Sequence, residues 1–348
     1  MATRRPTSPG LLERLAEGAV ICAEGYLFEF ERRGYLQAGA YVPEVVLEHP
    51  DLVRQLHREF VHAGSDVVEA FTYYAHREKL RVIGKEALLE PLNRAALGIA
   101  REVAEESGAL FAGNICNTNI WEPDRPETHK AARAMFEEQV GWAVDEGVDF
   151  IIGETFDWHA EAHVALETIK AAGMDAVITF SDDGGGKLYD GDTVDACRRI
   201  ADAGADVVGV NCSCGPATML PVVERLRPAV SCHVAALPVP FRTTEDAPTF
   251  FSFTDPDRDD LPDGKTFPAA LDPFLCDRYE LGDFARKVYD IGVRYIGVCC
   301  GAGPHHIRAV AEALGREPPA SRYSPDMTKH ATRGTDPIIP EAYRQRVE

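Results

Sequence analysis

Short apolar runs alternate along this chain with longer amphipathic stretches, and the alternation recurs eight times. The runs are "AVICAEG" (19–25), "SDVVEAFTY" (65–73), "ALFAGNICN" (109–117), "VDFIIGETF" (148–156), "MDAVITFSD" (174–182), "ADVVGVNCS" (205–213), "SCHVAALP" (231–238) and "VRYIGVCCG" (293–301). Each is short, rich in β-branched residues and apolar almost throughout, as a strand buried on both faces must be. Between them, stretches such as "HPDLVRQLHREFVHAG" (49–64) repeat apolar positions at intervals of three and four, which makes one helical face. Residues 127–147, 159–173, 193–204, 216–229 and 281–292 share that period, and Pro304 opens a last helix. Gly64, Gly108, Gly147, Gly173, Gly204 and Gly292 stand where helices stop. Eight strand–helix units predict one α/β domain, a single (β/α)8 TIM barrel. An open doubly wound sheet is the alternative, but no glycine-rich dinucleotide turn follows the first run.

Two segments break the repeat. Residues 239–280, rich in Pro, Asp and Phe, form a long insertion between the seventh strand and its helix, and a connection of that length predicts a lid or an interface element. From Arg316 the chain is rich in Pro and charge. The expected division is therefore a barrel over 1–315 and a C-terminal arm over 316–348, packed on the barrel or used for oligomerisation.

Composition narrows the function. A net charge of −20 over 348 residues repels nucleic acid and anionic membrane, and favours a small-molecule substrate. No apolar run approaches a membrane span, and "MATRRPTSPG" lacks the apolar region of a secretory signal. Nine irregularly spaced cysteines do not make a disulfide framework. A reducing, cytoplasmic setting with thiols free or metal-bound is the expectation.

In such a barrel the chemistry sits at the C-terminal ends of the strands. Read in order, those ends carry Glu24, then Tyr73 and Tyr74, Asn117, Glu154, Cys212 with Cys214, and Cys299 with Cys300. Lone cysteines such as Cys22, Cys116, Cys197, Cys232 and Cys276 are more simply buried apolar residues. Cys212, Cys299 and Cys300 are different, because all three occupy strand ends. Three thiolates with a fourth position open form a catalytic zinc site. Zinc in so electron-rich a setting is suited to taking a substrate thiol as thiolate, which points to alkyl transfer onto sulfur.

"GVNC" (209–212) and "GVCCG" (297–301) together resemble the zinc-dependent homocysteine S-methyltransferase family. So do "ERRGYLQAG" (31–39), "EHPDLVRQLHREFVHAGSDVVEAFTYYAHREKL" (48–80) and "GVRYIGVCCGAGPHHIRAVAEAL" (292–314), most nearly as in its betaine-using members, with "DMTKH" (326–330) a looser likeness. The resemblance implies Zn2+ held by Cys212, Cys299 and Cys300, and methyl transfer from an onium donor to homocysteine, giving methionine. It implies a homo-oligomer, dimer or tetramer. Glu154 in "GETF" would bind the homocysteine amino group; Glu24 and Gly25 in "AEGY" stand where the family usually has Asp-Gly-Gly. Tyr74 matches a family tyrosine near the metal, and Tyr73 and Tyr41 complete the expected substrate contacts. Cys214 has no expected counterpart.

An onium methyl calls for aromatic faces, and Tyr26, Phe28, Tyr41, Phe71, Tyr73 and Tyr74 offer them. Strand alternation predicts that Phe71 and Tyr73 point away from Tyr74. Tyr41, Thr155 and Leu237 replace, respectively, a tryptophan, a tyrosine and a polar amide of the resembled enzymes, and "NICNTNIWEP" (114–123) places Asn117, Asn119 and Trp121 at the rim. The donor is therefore open: betaine, another betaine, dimethylsulfoniopropionate or S-methylmethionine. "DDGGGKLYDGD" (182–192) lacks the spacing of a phosphate or calcium loop and is expected to be a mobile loop. His305 and His306 open a helix and are not expected as ligands. A non-catalytic zinc-thiolate barrel, or an enzyme with another thiol or selenol acceptor, are the competing readings.

Overall fold

The computed structural model describes residues 9–336, together with 338 and 342. Its strands are β1 (Val20–Ala23), β2 (Val67–Glu69), β3 (Leu110–Cys116), β4 (Phe150–Phe156), β5 (Ala176–Phe180), β6 (Val207–Asn211), β7 (His233–Leu237) and β8 (Tyr295–Val298). Each falls inside the run that predicted it. They pair in parallel, in the spatial order β1-β8-β7-β6-β5-β4-β3-β2, so the ladder is open only between β1 and β2.

The accompanying helices are α1 (Pro50–Ala63), α2 (Leu89–Ser107), α3 (Pro126–Glu146), α4 (His159–Ala171), α5 (Thr193–Asp202), α6 (Pro216–Leu226), α7 (Arg278–Asp290) and α8 (Pro304–Ala313). The helical period had left α2 unmarked. The six glycine stops all adopt positive φ, which lets the chain leave each helix without steric cost. Val20, Leu110, Phe150, Val207 and Tyr295 pack together in one core cluster, while Ile21, Phe111, Ile151 and Val208 join a second with the helices. Alternation along each strand thus fills the barrel interior and the sheet–helix layer at once.

Three aspartates organise the floor, where strands begin. Asp66 donates its N–H to Ile21 O (2.8 Å) and accepts the Ile21 N–H on its carboxylate (2.7 Å). Asp149 makes the same two-bond exchange with Phe111 (2.8 and 2.9 Å), and Asp206 makes it with Ala176 (3.1 and 2.8 Å). The Asp66 exchange bridges the open seam between β1 and β2. Arg316, the first residue of the expected arm, adds a 2.5 Å ion pair to Asp66 and a hydrogen bond to Ala19 O. Ser321 and Ser324 then bond Glu312 on α8, so the arm starts out packed on the barrel. Residues 337, 339–341 and 343–348 of the arm lie outside the described residues.

The insertion after β7 folds over the mouth. Three turns, Phe250–Ser252, Pro262–Gly264 and Asp272–Phe274, are held by stacked rings such as Phe253 on Phe274 (4.3 Å). The segment 182–192 is a small antiparallel hairpin, Lys187–Leu188 against Gly191–Asp192. Among the described residues no helix is long and apolar enough to cross a membrane.

Candidate active site

The thiols meet because β7 lies between β6 and β8. Cys212 follows β6 directly and donates its N–H to Leu237 O (3.1 Å); Cys299 follows β8 and donates to Pro238 O (2.9 Å). Both cysteine-bearing ends therefore lean on the end of β7, and 87 positions of sequence separation collapse to side-chain contact. The motif glycines make the approach possible. A Cβ on Gly209 would sit 2.0 Å from Ala235 O, and one on Gly297 would sit 1.9 Å from Cys22 O. The ligand atoms of Cys212, Cys299 and Cys300 lie within 4.8 Å of one another, with Cys299 and Cys300 Sγ atoms 3.9 Å apart. Cys299 and Cys300 donate to Cys212 and hold its thiol well below the usual range. Burial, with the Cys212 charge, drives Cys299 the other way. Three buried cysteine sulfurs converging at one point are an arrangement that could hold a metal ion.

Beside the thiols lies a set of carboxylates with no cation among the described residues. Glu24, Glu69 and Glu154 are each at most 6% exposed. Asn114 Nδ2 bridges Glu69 (2.5 Å) and Glu154 (2.6 Å), and Asn211 Nδ2 bridges Glu154 (2.8 Å) and Glu24 (3.2 Å). Glu24 Oε1 and Glu69 Oε2 are buried without a hydrogen-bond partner among the described residues. Burial, and then repulsion from Glu154, push Glu24 and Glu69 well above the carboxylate range; burial raises Glu154 to about 7. These acids line a cavity of about 10 Å³ with Tyr26, Phe71, Tyr73 and Cys300, roughly the room one small group needs. Buried carboxylates without a counter-charge are costly, and a ligand ammonium is the natural relief.

Above the thiols opens a second cavity, of about 290 Å³. Phe28, Tyr41, Tyr73, Tyr74 and, from the insertion, Phe250, Phe251 and Phe267 wall it, with Lys79, Asn117, Asp157, Cys212 and Cys300. Tyr73 and Tyr74 rings pack 4.3 Å apart. Burial holds the Tyr41 and Tyr74 hydroxyls above their ordinary range, so both stay neutral. An acid-lined hole beside the sulfurs and an aromatic box above them can hold an amino acid and an onium ion on either side of a thiolate.

Comparison with known proteins points the same way. The homocysteine S-methyltransferase profile matches residues 25–314. Betaine–homocysteine S-methyltransferase 1 of Bos taurus is 37% identical over 318 residues, covering 88% of this chain and 75% of its own. The chain belongs to the homocysteine S-methyltransferase family. S-methylmethionine–homocysteine S-methyltransferase BHMT2 of Pongo abelii is 38% identical over 322 residues, covering 90% and 84%. The metallated form of the homocysteine methyltransferase MmuM from Escherichia coli shares the fold, with a TM-score of 0.65, 20% identity and coverage of 85% and 96%.

In this family member the predicted residues mostly converge. Glu24, Glu154 and Cys299 offer ligand atoms within 4.8 Å of one another, so the acids adjoin the thiols. Gly25 lies where a Cβ would meet Ala302 O at 2.5 Å, so its absence of a side chain lets β1's end press on the Cys299–Ala302 turn. The alternation argument for Tyr73 is overturned. The β2 strand stops at Glu69, and Tyr74 takes a left-handed φ of 59°, which swings both tyrosines to the cavity. Trp121 does not join the rim; it stacks on His129 at 4.0 Å. Cys214 turns to Asp182 Oδ1 (3.4 Å), and His306 Nδ1 accepts the Gly303 N–H, both away from the thiol cluster. Thr155, in place of the expected tyrosine, lines the upper cavity but offers it no ring, and its hydroxyl donates to Glu154 (3.1 Å). Glu69, Asn114 and Asn211 were missed. Their signal was a polar residue inside an otherwise apolar, fully buried parallel strand.

Proposed function

We propose that this chain transfers a methyl group from an onium donor to the sulfur of homocysteine, giving methionine, with zinc at Cys212, Cys299 and Cys300. The observation that carries the reading is the stacking of a cation-free acid pocket, a three-thiol cluster and an aromatic cavity in one barrel mouth. Zinc suits the donor set. Zn–S bonds of ~2.3 Å in tetrahedral array place sulfurs roughly 3.8 Å apart, close to the 3.9 Å between Cys299 and Cys300. Bound there, zinc would lower the pKa of a substrate thiol and keep it as thiolate at neutral pH.

The chain's own residues do the rest. Glu24, Glu69 and Glu154 take the homocysteine ammonium, fixed in place by Asn114 and Asn211. Once the thiol proton is gone, displacement at the methyl carbon needs no general base, so positioning dominates the rate. Tyr73, Tyr74, Phe250 and Phe267 present ring faces to the donor cation and exclude water that would compete for it. The arm from Arg316, whose Tyr323 and Met327 are exposed, would serve a homo-oligomer contact.

The test is metal content measured beside methionine formation, on full-length protein purified under reducing conditions. About one zinc per chain, methionine from an onium donor, and loss of both in Cys299→Ala are expected. Zinc without turnover on any onium donor would overturn the reading.

A further inference from the structure

Two residues that shape the upper cavity hold backbone conformations they do not adopt by themselves. Tyr74 and Thr155 line it at left-handed φ of 59° and 58°. Such a conformation costs about 1–3 kcal/mol and persists only where the surroundings over-determine it. The holding contacts come from one short stretch at the end of β3, residues 116–119 ("CNTN"). Cys116 Sγ accepts the Tyr74 N–H at 3.4 Å, and the Asn119 side chain reaches the Tyr74 hydroxyl. Asn117 Nδ2 donates to Thr155 O at 2.6 Å, and its Oδ1 accepts from Asn119.

That stretch is itself anchored from outside the cavity. Glu161 stands in the first turn of α4, 1% exposed, and its Oε1 accepts both the Thr118 N–H (2.8 Å) and the Thr118 hydroxyl. A buried carboxylate is costly unless it is satisfied. Two charge-assisted bonds and the positive end of its own helix satisfy this one. Glu161 lines neither the acid pocket nor the aromatic cavity. Resting on the homocysteine methyltransferase reading above, we propose that Glu161 is a positioning residue for the methyl donor. Through Thr118 it fixes residues 116–119, and these hold Tyr74 and Thr155 in the conformations that shape the donor's cavity.

The acceptor side is held by other means. Asn114 and Asn211, inside β3 and β6, fix the Glu154 carboxylate at 2.6 and 2.8 Å and also bond Glu69 and Glu24. Homocysteine binding therefore does not pass through Glu161. The charge of Glu161 also reaches Asp157 on the cavity wall, so replacing Glu161 alone does not isolate the loop. Thr118→Val does, because it removes the hydroxyl bond, keeps the side-chain volume and leaves the carboxylate in place.

Steady-state kinetics on the zinc-loaded full chain test the assignment, with whichever of glycine betaine, dimethylsulfoniopropionate and S-methylmethionine the wild type uses. Thr118→Val and Glu161→Gln should each raise the donor KM about tenfold, as losing a hydrogen bond to a charged group does, with the homocysteine KM unchanged. Thr118→Ser, which keeps the hydroxyl, should retain the wild-type donor KM. The double variant should fall short of the product of the two single effects, because both act on one contact. Equal rises in both KM values, Thr118→Ser as poor as Thr118→Val, or a lower melting temperature with both KM values unchanged would overturn the positioning role while leaving methyl transfer intact. No methionine from the wild type with any of the three donors would sink the methyl-transfer reading and this one together.

Discussion

At the floor of the barrel Asp66, Asp149 and Asp206 each exchange two hydrogen bonds with the neighbouring strand, and two of them also meet a cation, Arg316 or Lys170. At the mouth Glu24, Glu69 and Glu154 face one another across two asparagines, with oxygens left over. Backbone strain divides the same way. Tyr41, Tyr74, Thr155, Cys212 and Ser213 all adopt left-handed φ and all line the upper cavity, where each such residue costs about 1–3 kcal/mol. The floor carboxylates are satisfied, whereas Glu24 and Glu69 at the mouth each keep an unpartnered oxygen among the described residues. Stability made at one end supports a site that is unstable without its ligands, the division expected of this fold.

The sharpest way to break this contrast is at the thiols. Cys299→Ala should remove the metal and lower kcat/KM by about a thousandfold or more, as losing an essential electrophile does, with circular dichroism unchanged; wild-type turnover in that variant would refute the site. Stripping the metal with a chelator should produce the same loss, reversed by added zinc. Next comes Asp206→Ala on the floor. It leaves the Ala176 N–H unpaired and should cost about 1–3 kcal/mol in denaturant unfolding, while kcat and both KM values stay put. A change in KM would mean that floor and mouth are coupled.

Glu69→Gln should raise the homocysteine KM about tenfold, the loss of one charge-assisted bond, and yet stabilise the fold. Because the folded state raises the pKa of Glu69, its carboxyl adds stability below the unfolded pKa of about 4.5 and loses it as pH rises through the folded value. The variant should therefore melt higher than wild type at pH 8, with the gain fading towards pH 4.5; a constant gap would show that titration is not the cause. The smallest effect belongs to the box. Phe251→Ala should raise the donor KM about two- to tenfold, the range of one cation–aromatic contact, without altering the homocysteine KM.

The order of strands and helices and the meeting of Cys212, Cys299 and Cys300 were readable from sequence, because both rest on periodic rules; the floor aspartates were not singled out. Strands of fixed length, glycine stops and paired cysteines at strand ends are local signals. The acid pocket was half-readable. Glu24 and Glu154 sit at strand ends, but Glu69 lies at the last position of a short strand and Asn114 and Asn211 lie inside theirs, so only their pairing in space gives them meaning. The box was least readable. Its Tyr73 depended on a left-handed residue that ended the alternation, and Phe250, Phe251 and Phe267 come from an insertion with no period at all.

The leaning of β6 and β8 on the end of β7 has one more consequence. A metal shared by Cys212 and Cys299 would tie together two points of the chain 87 positions apart. A tie of that span removes loop freedom from the unfolded ensemble worth about 4–5 kcal/mol if it acted as a covalent link. The ion would then act as a clasp on the last quarter of the barrel, closing a circle whose first and second strands are bridged at the floor by Ser65, Asp66 and Arg316. Loss of the ion would be felt first as looseness in the stretch from β6 to β8, read out as faster proteolysis within 212–299 than elsewhere.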